Sequence, residues 1–396
     1  MSDRLYLDNA ATSFPKPPEV MEAMRAYAET LGASAGRGAY REAVETGELV
    51  TQCRRAWARL ISAPAAESII FTLNCSEALN LAIKGIVRPG DHVVATAMDH
   101  NSVLRPLNGL AARDEIDLTI VPARERGGGV RAQDVISAVR AETRLVCLPH
   151  ASNVTGAIQP VEEIVARLRQ KVRDAHSTLI LLDAAQTAGH LPIDVQALDI
   201  DFLAMPGHKG WLGPLGTGGL YIRPGLEKEL RPLMEGGTGS ISENPMQPDF
   251  LPDKFESGSH NAIGIAGLGA GLAWIEKKTV AALREHDLAL SKRFLERAAE
   301  IGGLTIYGPL DARERTAVFS IRLADLEPAE LSALLDTEFG ILSRSGLHCA
   351  PLAHEAIGTS AVGGTTRLSF GAFNTLADVD RCAAALGQLA AASVAS

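Results

Sequence analysis

The sequence is poor in the features that would give it a specialised class. Its five cysteines, Cys53, Cys75, Cys147, Cys349 and Cys382, are spread over 396 residues with no C-x-x-C pair. That pattern excludes a disulfide framework and a zinc knuckle, and it predicts reduced thiols. The ten histidines form no H-E-x-x-H or similar set, so no metal ligands are expected. No basic tract offsets the formal net charge of −9, which argues against a nucleic-acid partner. No apolar run reaches the roughly 18 residues that a membrane span needs. The opening MSDRLYLDNAATS lacks the basic-then-apolar pattern of a secretory signal. There is no low-complexity linker and no internal repeat. GLGAGL and GPLGTGG give no G-x-G-x-x-G in a strand-to-helix context, and no G-x-x-x-x-G-K-[ST] exists, which removes dinucleotide and ATP loops. The expectation is a cytoplasmic protein that acts on a small molecule and has no membrane partner.

What is present is an ordinary globular composition, 46% hydrophobic and 21% charged, in a chain long enough for two or three domains. From about Glu67 to Ile222, short apolar runs alternate with longer amphipathic ones, the pattern of an α/β sheet with crossover helices. SIIFTL, HVVATA, LTIVPA, RLVCLPH, TLILLDAA and GGLYIR are the candidate strands. Their bulky, non-alternating side chains suit a sheet covered on both faces. Between two of them, Val161, Ile164, Val165, Leu168 and Val172 recur at helical spacing, and Glu163 can pair with Arg167. MEGGTGSISENPMQPDFLPD then reads as a long functional loop. After it, NAIGIAGLGAGLAWIEKK begins a connecting helix. TAVFSIRL and TTRLSFGAF are strands of a smaller α/β region.

Several residues carry more meaning together than alone. Asp183 ends the apolar run TLILL, and ligands of open parallel sheets bind at the carboxyl ends of strands; alone it would read as a turn or cap aspartate. Lys209 lies in the Gly-rich MPGHKGWLGPLGTGG turn, where a solvated lysine would gain nothing. An amine that can form a Schiff base and a carboxylate that can keep a pyridine nitrogen protonated point jointly to pyridoxal 5'-phosphate. FTLNCSEALNLAIKG supplies a strand, a tight turn and a helix start whose N–H groups and Ser76 hydroxyl can face a phosphate; ordinary N-capping by Ser76 is the competing account. His100 follows another strand and can stack on a planar ring, although a lone histidine is more often structural. Arg367 sits in an apolar strand pattern, which a carboxylate partner would justify, whether substrate or buried ion pair. Cys349, in SRSGLHCAPLAHEAIG, is either packing or a nucleophile.

With these motifs in place the chain resembles the fold-type I, class V aminotransferase-like family, and within it the Suf-like cysteine desulfurases and selenocysteine lyases. The resemblance runs through YLDNAATSFPKP, NCSEALN, DHNSV, ASNVTGAIQP, LLDAAQTAGHLPIDV, PGHKGWLGPLGTGGLYI, FESGSHNAIGIAGL, RSGLHCAP and TTRLSFGAFNT. It implies a large domain over 16–258 with a mostly parallel seven-stranded sheet, a smaller α/β domain over 259–396 carrying the Cys349 loop, and an N-terminal segment 1–15 packed on the small domain. It also implies that Lys209 is the Schiff-base lysine, that Asp183 pairs with the pyridine nitrogen, and that His100 stacks on the ring. Asn153 and Gln186 would contact the ring hydroxyl side. Cys75, Ser76 and His208 would hold the phosphate, with Ser259 reaching it from the second subunit of a homodimer. Asn9 and Ala10 would line the substrate side, and Arg367 and Arg344 would serve the substrate. Cys349 would be the sulfur-accepting nucleophile.

The implied reaction converts L-cysteine to L-alanine and leaves a persulfide on Cys349, to be passed to a sulfur-acceptor protein. L-selenocysteine is the alternative substrate; simple C–S β-lyase, aminotransferase or epimerase chemistry and a catalytically silent scaffold are the other readings. Three positions depart from the family pattern. Pro206 replaces a Ser or Thr before GHK and removes a donor. Cys75 replaces a threonine, giving a weaker hydrogen-bond partner. Leu347 replaces the first of two histidines before the cysteine, leaving His348, Arg344 or the substrate to favour the thiolate.

Overall fold

The computed structural model describes residues 4–36, 38–124, 127–171 and 177–395. Among these, thirteen strands follow in chain order: β1 Leu5–Tyr6, β2 Ile69–Thr72, β3 Asp91–Thr96, β4 Ile116–Val121, β5 Thr143–Pro149, β6 Leu179–Asp183, β7 Phe202–Pro206, β8 Gly218–Ile222, β9 Leu304–Tyr307, β10 Val318–Leu323, β11 Ile341–Leu342, β12 Arg344–Gly346 and β13 Thr365–Ser369. Seven of them form one sheet in the order β2-β8-β7-β6-β5-β3-β4. The pairs from β7 to β4 are all parallel, and β8 alone runs antiparallel, to both β7 and β2. The sheet is therefore mostly parallel, as expected. β7 is the strand that no candidate run named; it is short and bounded by Asp201 and Pro206. Asp201 is buried there because Arg169 and Arg223 pair with it, at 2.7 and 2.8 Å.

Alternation along the strands explains why this sheet is covered twice. Ile180 and Leu182 belong to one apolar cluster with Val94, Val146, Leu203 and Met205. Leu179 and Leu181 belong to another with Val93, Leu145, Phe202 and Ala204. Burying both faces leaves the strand ends as the sheet's one polar opportunity. The helix Val161–Lys171 lies on the surface with Glu163 and Arg167 paired at 3.0 Å; Val172 falls outside the described residues.

A second sheet, order β12-β13-β10-β9, is antiparallel throughout. Its core contains Phe294, Phe319 and Phe370, with ring centroids 4.6 to 6.0 Å apart. β1 pairs in parallel with β11, and Asp8 bridges to Ser369, so the first residues of the chain are tied to this second sheet. The helix Ala262–Lys278 precedes it, capped by Asn261. Residues 234–253 contain no strand or helix and expose Met234, Ile241, Met246 and Phe250.

Candidate active site

Lys209 stands in the turn between β7 and β8, and two neighbourhoods fix it. Gly210 lies so close to the carbonyl of Ala188 that a Cβ would collide with it, which is why a glycine follows the lysine. The carbonyl of His208 accepts hydrogen bonds from Thr12 Oγ1 at 3.0 Å, Ser13 N at 3.1 Å and Lys16 Nζ at 2.6 Å, and Ser13 Oγ donates to the Lys209 carbonyl at 2.9 Å. Burial lowers the Lys209 amine pKa, against the opposing pull of Cys75 and Asp183. Asp183 is buried at the end of β6, where its Oδ1 accepts the Ala185 N–H at 2.9 Å and Cys75 Sγ lies 3.6 Å away. Burial raises the carboxyl pKa, and the Ala185 N–H and Lys209 offset this only in part. Burial also pushes the Cys75 thiol well up, so it remains a weak S–H donor.

The helix Cys75–Ile86 begins beside them. Its cap is Asn74, whose Oδ1 accepts the Glu77 N–H at 3.0 Å, so the competing account of Ser76 as the cap falls away. Ser76 is left to share a 2.6 Å hydrogen bond with Ser102 Oγ. The first amides of such a helix have no acceptor within it and favour an anion. β8 passes against this turn because Gly218 has no side chain; a Cβ there would sit 2.6 Å from the Asn74 carbonyl carbon. His208 Nδ1 is buried without a hydrogen-bond partner among the described residues. Such an orphan is costly unless a ligand satisfies it.

His100 caps the helix Asn101–Ala111: its Nδ1 accepts the Ser102 N–H at 3.0 Å, which puts the ring proton on Nε2. Burial, with Lys209 adding to it, brings its pKa down to about 4, so the ring is neutral. Cys75, Ser76, His100, Asn153, Asp183, Gln186, His208 and Lys209 all line one cavity of about 110 Å³. Helix-start amides, a buried carboxylate, a neutral imidazole and a primary amine converge there. That donor set fits a planar ring with an anionic tail. Ser259 is elsewhere, in a separate cavity with Phe71, Glu256 and His260.

The substrate-side residues are partly engaged with the protein itself. Arg367 is buried, donating to Asp8 Oδ1 at 2.6 Å and to the Asn153 carbonyl at 3.2 Å, while its Nε has no partner among the described residues. The buried ion pair and a remaining donor therefore coexist. Asn9 donates to the Ser369 carbonyl at 3.0 Å and to Asn374 at 3.2 Å, and Gln186 donates to the Ala10 carbonyl at 3.1 Å.

Cys349 is exposed and follows β12 in a turn where His348 and Cys349 both have left-handed backbones, φ 48° and 59°. Two such residues in succession cost on the order of 1–3 kcal/mol each and persist only where neighbours hold them. Asn153 Nδ2 donates to the His348 carbonyl at 2.7 Å, and the Asn101 N–H donates to the Cys349 carbonyl at 2.8 Å. Arg344 Nη2 lies 3.6 Å from the Cys349 sulfur. His348 turns away from that role. Its ring is buried against the Thr365 carbonyl and hydroxyl, at 3.1 and 3.2 Å, and burial, with Arg367 adding to it, lowers its pKa to about 2. Of the three options for favouring the thiolate, His348 drops out because its ring anchors the turn; Arg344 is the charged neighbour.

Residues 5–382 match the model of the Aminotransferase class-V family. The chain belongs to that family. A relative in Methanothermobacter thermautotrophicus, named a probable cysteine desulfurase, is 35% identical over 393 residues, spanning 98% of this chain and 96% of its own. The cysteine desulfurase of Salmonella dublin is 31% identical over 392 residues, spanning 97% and 93%. The apo structure of a cysteine desulfurase from Thermococcus onnurineus NA1 superposes with a TM-score of 0.91 at 32% identity, covering 98% of this chain and 95% of its own.

Within this class V aminotransferase fold, the residues missed from sequence are mostly those that hold others. Thr12, Ser13 and Lys16 grip the Lys209 turn. Their signal was the polar TSFPKP run itself, too polar to be an apolar β-strand and too broken to be a helix. Asn74 was visible as the residue before a helix with an acid three positions on.

Proposed function

We propose that the chain is a pyridoxal-phosphate-dependent cysteine desulfurase that converts L-cysteine to L-alanine and receives the sulfur on Cys349. The observation that carries this reading is a juxtaposition. Ser76, His100 and Ser102 line both the Lys209 cavity and the groove that Cys349 lines, so an exposed thiol opens onto the place where a Schiff-base lysine sits.

In this reading the Cys75–Ser76 helix start and His208 hold the phosphate, Asp183 faces the pyridine nitrogen, and neutral His100 lies against the ring. Bound there, the cofactor withdraws electrons from the substrate's Cα. Lys209, whose amine pKa is lowered by burial, takes the Cα proton and can return it. Arg367 offers its remaining donor to the substrate carboxylate, with Arg344 near the sulfur end. The Cys349 thiolate attacks the substrate sulfur: an S–S bond forms, the C–S bond breaks, and its electron pair stays on carbon, where protonation completes alanine. Ser259 completes the phosphate site from the second subunit of a homodimer. The functional division is into residues 16–258 and 259–396, with 1–15 joined to the latter.

The test is to incubate purified holoenzyme with L-cysteine or L-selenocysteine, with a reductant to quantify alanine against sulfide or selenide, and without reductant for a single turnover to look for a persulfide on Cys349 by mass spectrometry. Persulfide there with alanine in equal amount supports the proposal. A strict requirement for a 2-oxo acid would replace it with transamination. Equal turnover of L-cysteine by Cys349→Ala would remove the nucleophile.

A further inference from the structure

On its outer side Cys349 borders a second, larger groove, about 530 Å³, between the helices Cys75–Ile86 and Asn101–Ala111. Lys84, Arg105 and Arg113 line it together with the neutral polar Asn80 and Asn101, and no carboxylate does among the described residues. Arg113 is committed to Glu115 at 2.5 Å. Lys84 and Arg105 are exposed and have no ion-pair partner among the described residues. In a chain of formal net charge −9, two free cations walling the approach to one exposed thiol form a local field opposite to that of the whole molecule.

We infer that this groove receives an acidic, thiol-bearing segment of a sulfur-accepting protein, with Lys84 and Arg105 selecting it by charge. The inference rests on Cys349 carrying the persulfide. The transfer needs no outside oxidant or reductant: the acceptor thiolate attacks the outer sulfur, a new S–S bond forms, the bond to the Cys349 sulfur breaks, and Cys349 leaves as thiolate. Attraction by the groove raises the encounter rate with an anionic acceptor, and salt weakens it.

The experiment has two arms on the holoenzyme, with Cys349→Ser as the background. In the first, peptides of equal length bearing one cysteine as a pyridyl disulfide, flanked by acidic, neutral or basic residues, react with Cys349, and thione release gives the rate. The acidic peptide is expected to react about tenfold faster than the neutral one at low salt, with the advantage fading as salt rises. In Lys84→Glu/Arg105→Glu the advantage disappears. Equal rates for the three peptides overturn the inference. A preference that survives the double substitution overturns it as well, since Arg344 would then be its source. In the second arm L-cysteine is added first and sulfur passed to the free-thiol peptides is counted. Absence of any persulfide with the charge preference intact in the first arm defeats the desulfurase reading and not the groove.

Discussion

Lys209 and Asp183 stand at the ends of strands buried on both faces, whereas Cys349 stands in an exposed turn with a left-handed backbone at two consecutive residues. The first side is fixed by the large sheet and by the Thr12–Lys16 grip on the Lys209 turn. The second side is held at its rim by Asn153 and Asn101 through backbone carbonyls. In the proposed reading Lys209 must keep one position relative to Asp183, so a rigid seat suits it. In the same reading Cys349 takes sulfur inside and gives it up outside, which needs an open one. Strain at the thiol and rigidity at the lysine divide the work between two sheets.

Removing the amine should produce the largest effect. Lys209→Ala is expected to lower alanine formation by about 10⁴-fold, because both the covalent anchor and the proton carrier go. The same variant should lose the visible absorbance of a lysine-bound cofactor. Cys349→Ala comes next: turnover of L-cysteine should fall by about a hundredfold or more with that absorbance intact. If both variants lose the absorbance, the two sides are not separable and the comparison fails.

The rigid side can also be loosened at an ion pair that touches neither Lys209 nor Cys349. Arg54 grips Glu256 through both oxygens at 2.6 and 2.7 Å, and Glu256 also accepts the Phe71 N–H at 2.6 Å, tying the 254–260 segment to β2. Burial pushes the Glu256 carboxyl up, but Arg54 and His260 outweigh it and hold its pKa down to about 2. Glu256→Gln should cost about 3 kcal/mol in urea unfolding, because Arg54 is left buried and unpaired. A depressed folded pKa contributes stability above the ordinary value of 4.5 that is lost as pH falls through about 2. The wild type should therefore lose stability over that window, and the Gln variant should lack that contribution.

How far the sequence could be read follows the same division. Asp183, Lys209 and the Cys75–Ser76 turn were legible because each sits where an apolar run stops, and periodicity locates such ends. His348 drops out of the three options for favouring the thiolate because spacing places it next to Cys349 while the left-handed turn sends its ring the other way, to Thr365. Arg367 kept both accounts open because its partner Asp8 lies 359 positions away in sequence, beyond any local pattern. The competing account of Ser76 as a cap fails for a local reason: Asn74, the residue just before the helix, has the extended backbone that a cap requires. Elements and strand ends are local facts; ring directions in strained turns and ion pairs between sheets are not.

The smallest effect tests the open side most directly. Arg344 lies 3.6 Å from the Cys349 sulfur, and the thiol is exposed, so solvent screens the attraction to about 0.5 kcal/mol. Arg344→Ala should then slow alkylation of Cys349 by iodoacetamide about twofold at neutral pH, since 1.4 kcal/mol corresponds to about tenfold. Arg344→Lys, which keeps the charge, should recover most of the rate, and high salt should erase the difference. A tenfold loss in Arg344→Ala that salt does not touch would mean that the guanidinium shapes the left-handed turn as well as its field. Cys349 would then be held by its own side of the site as firmly as Lys209 is by the sheet, and the contrast between the two would narrow.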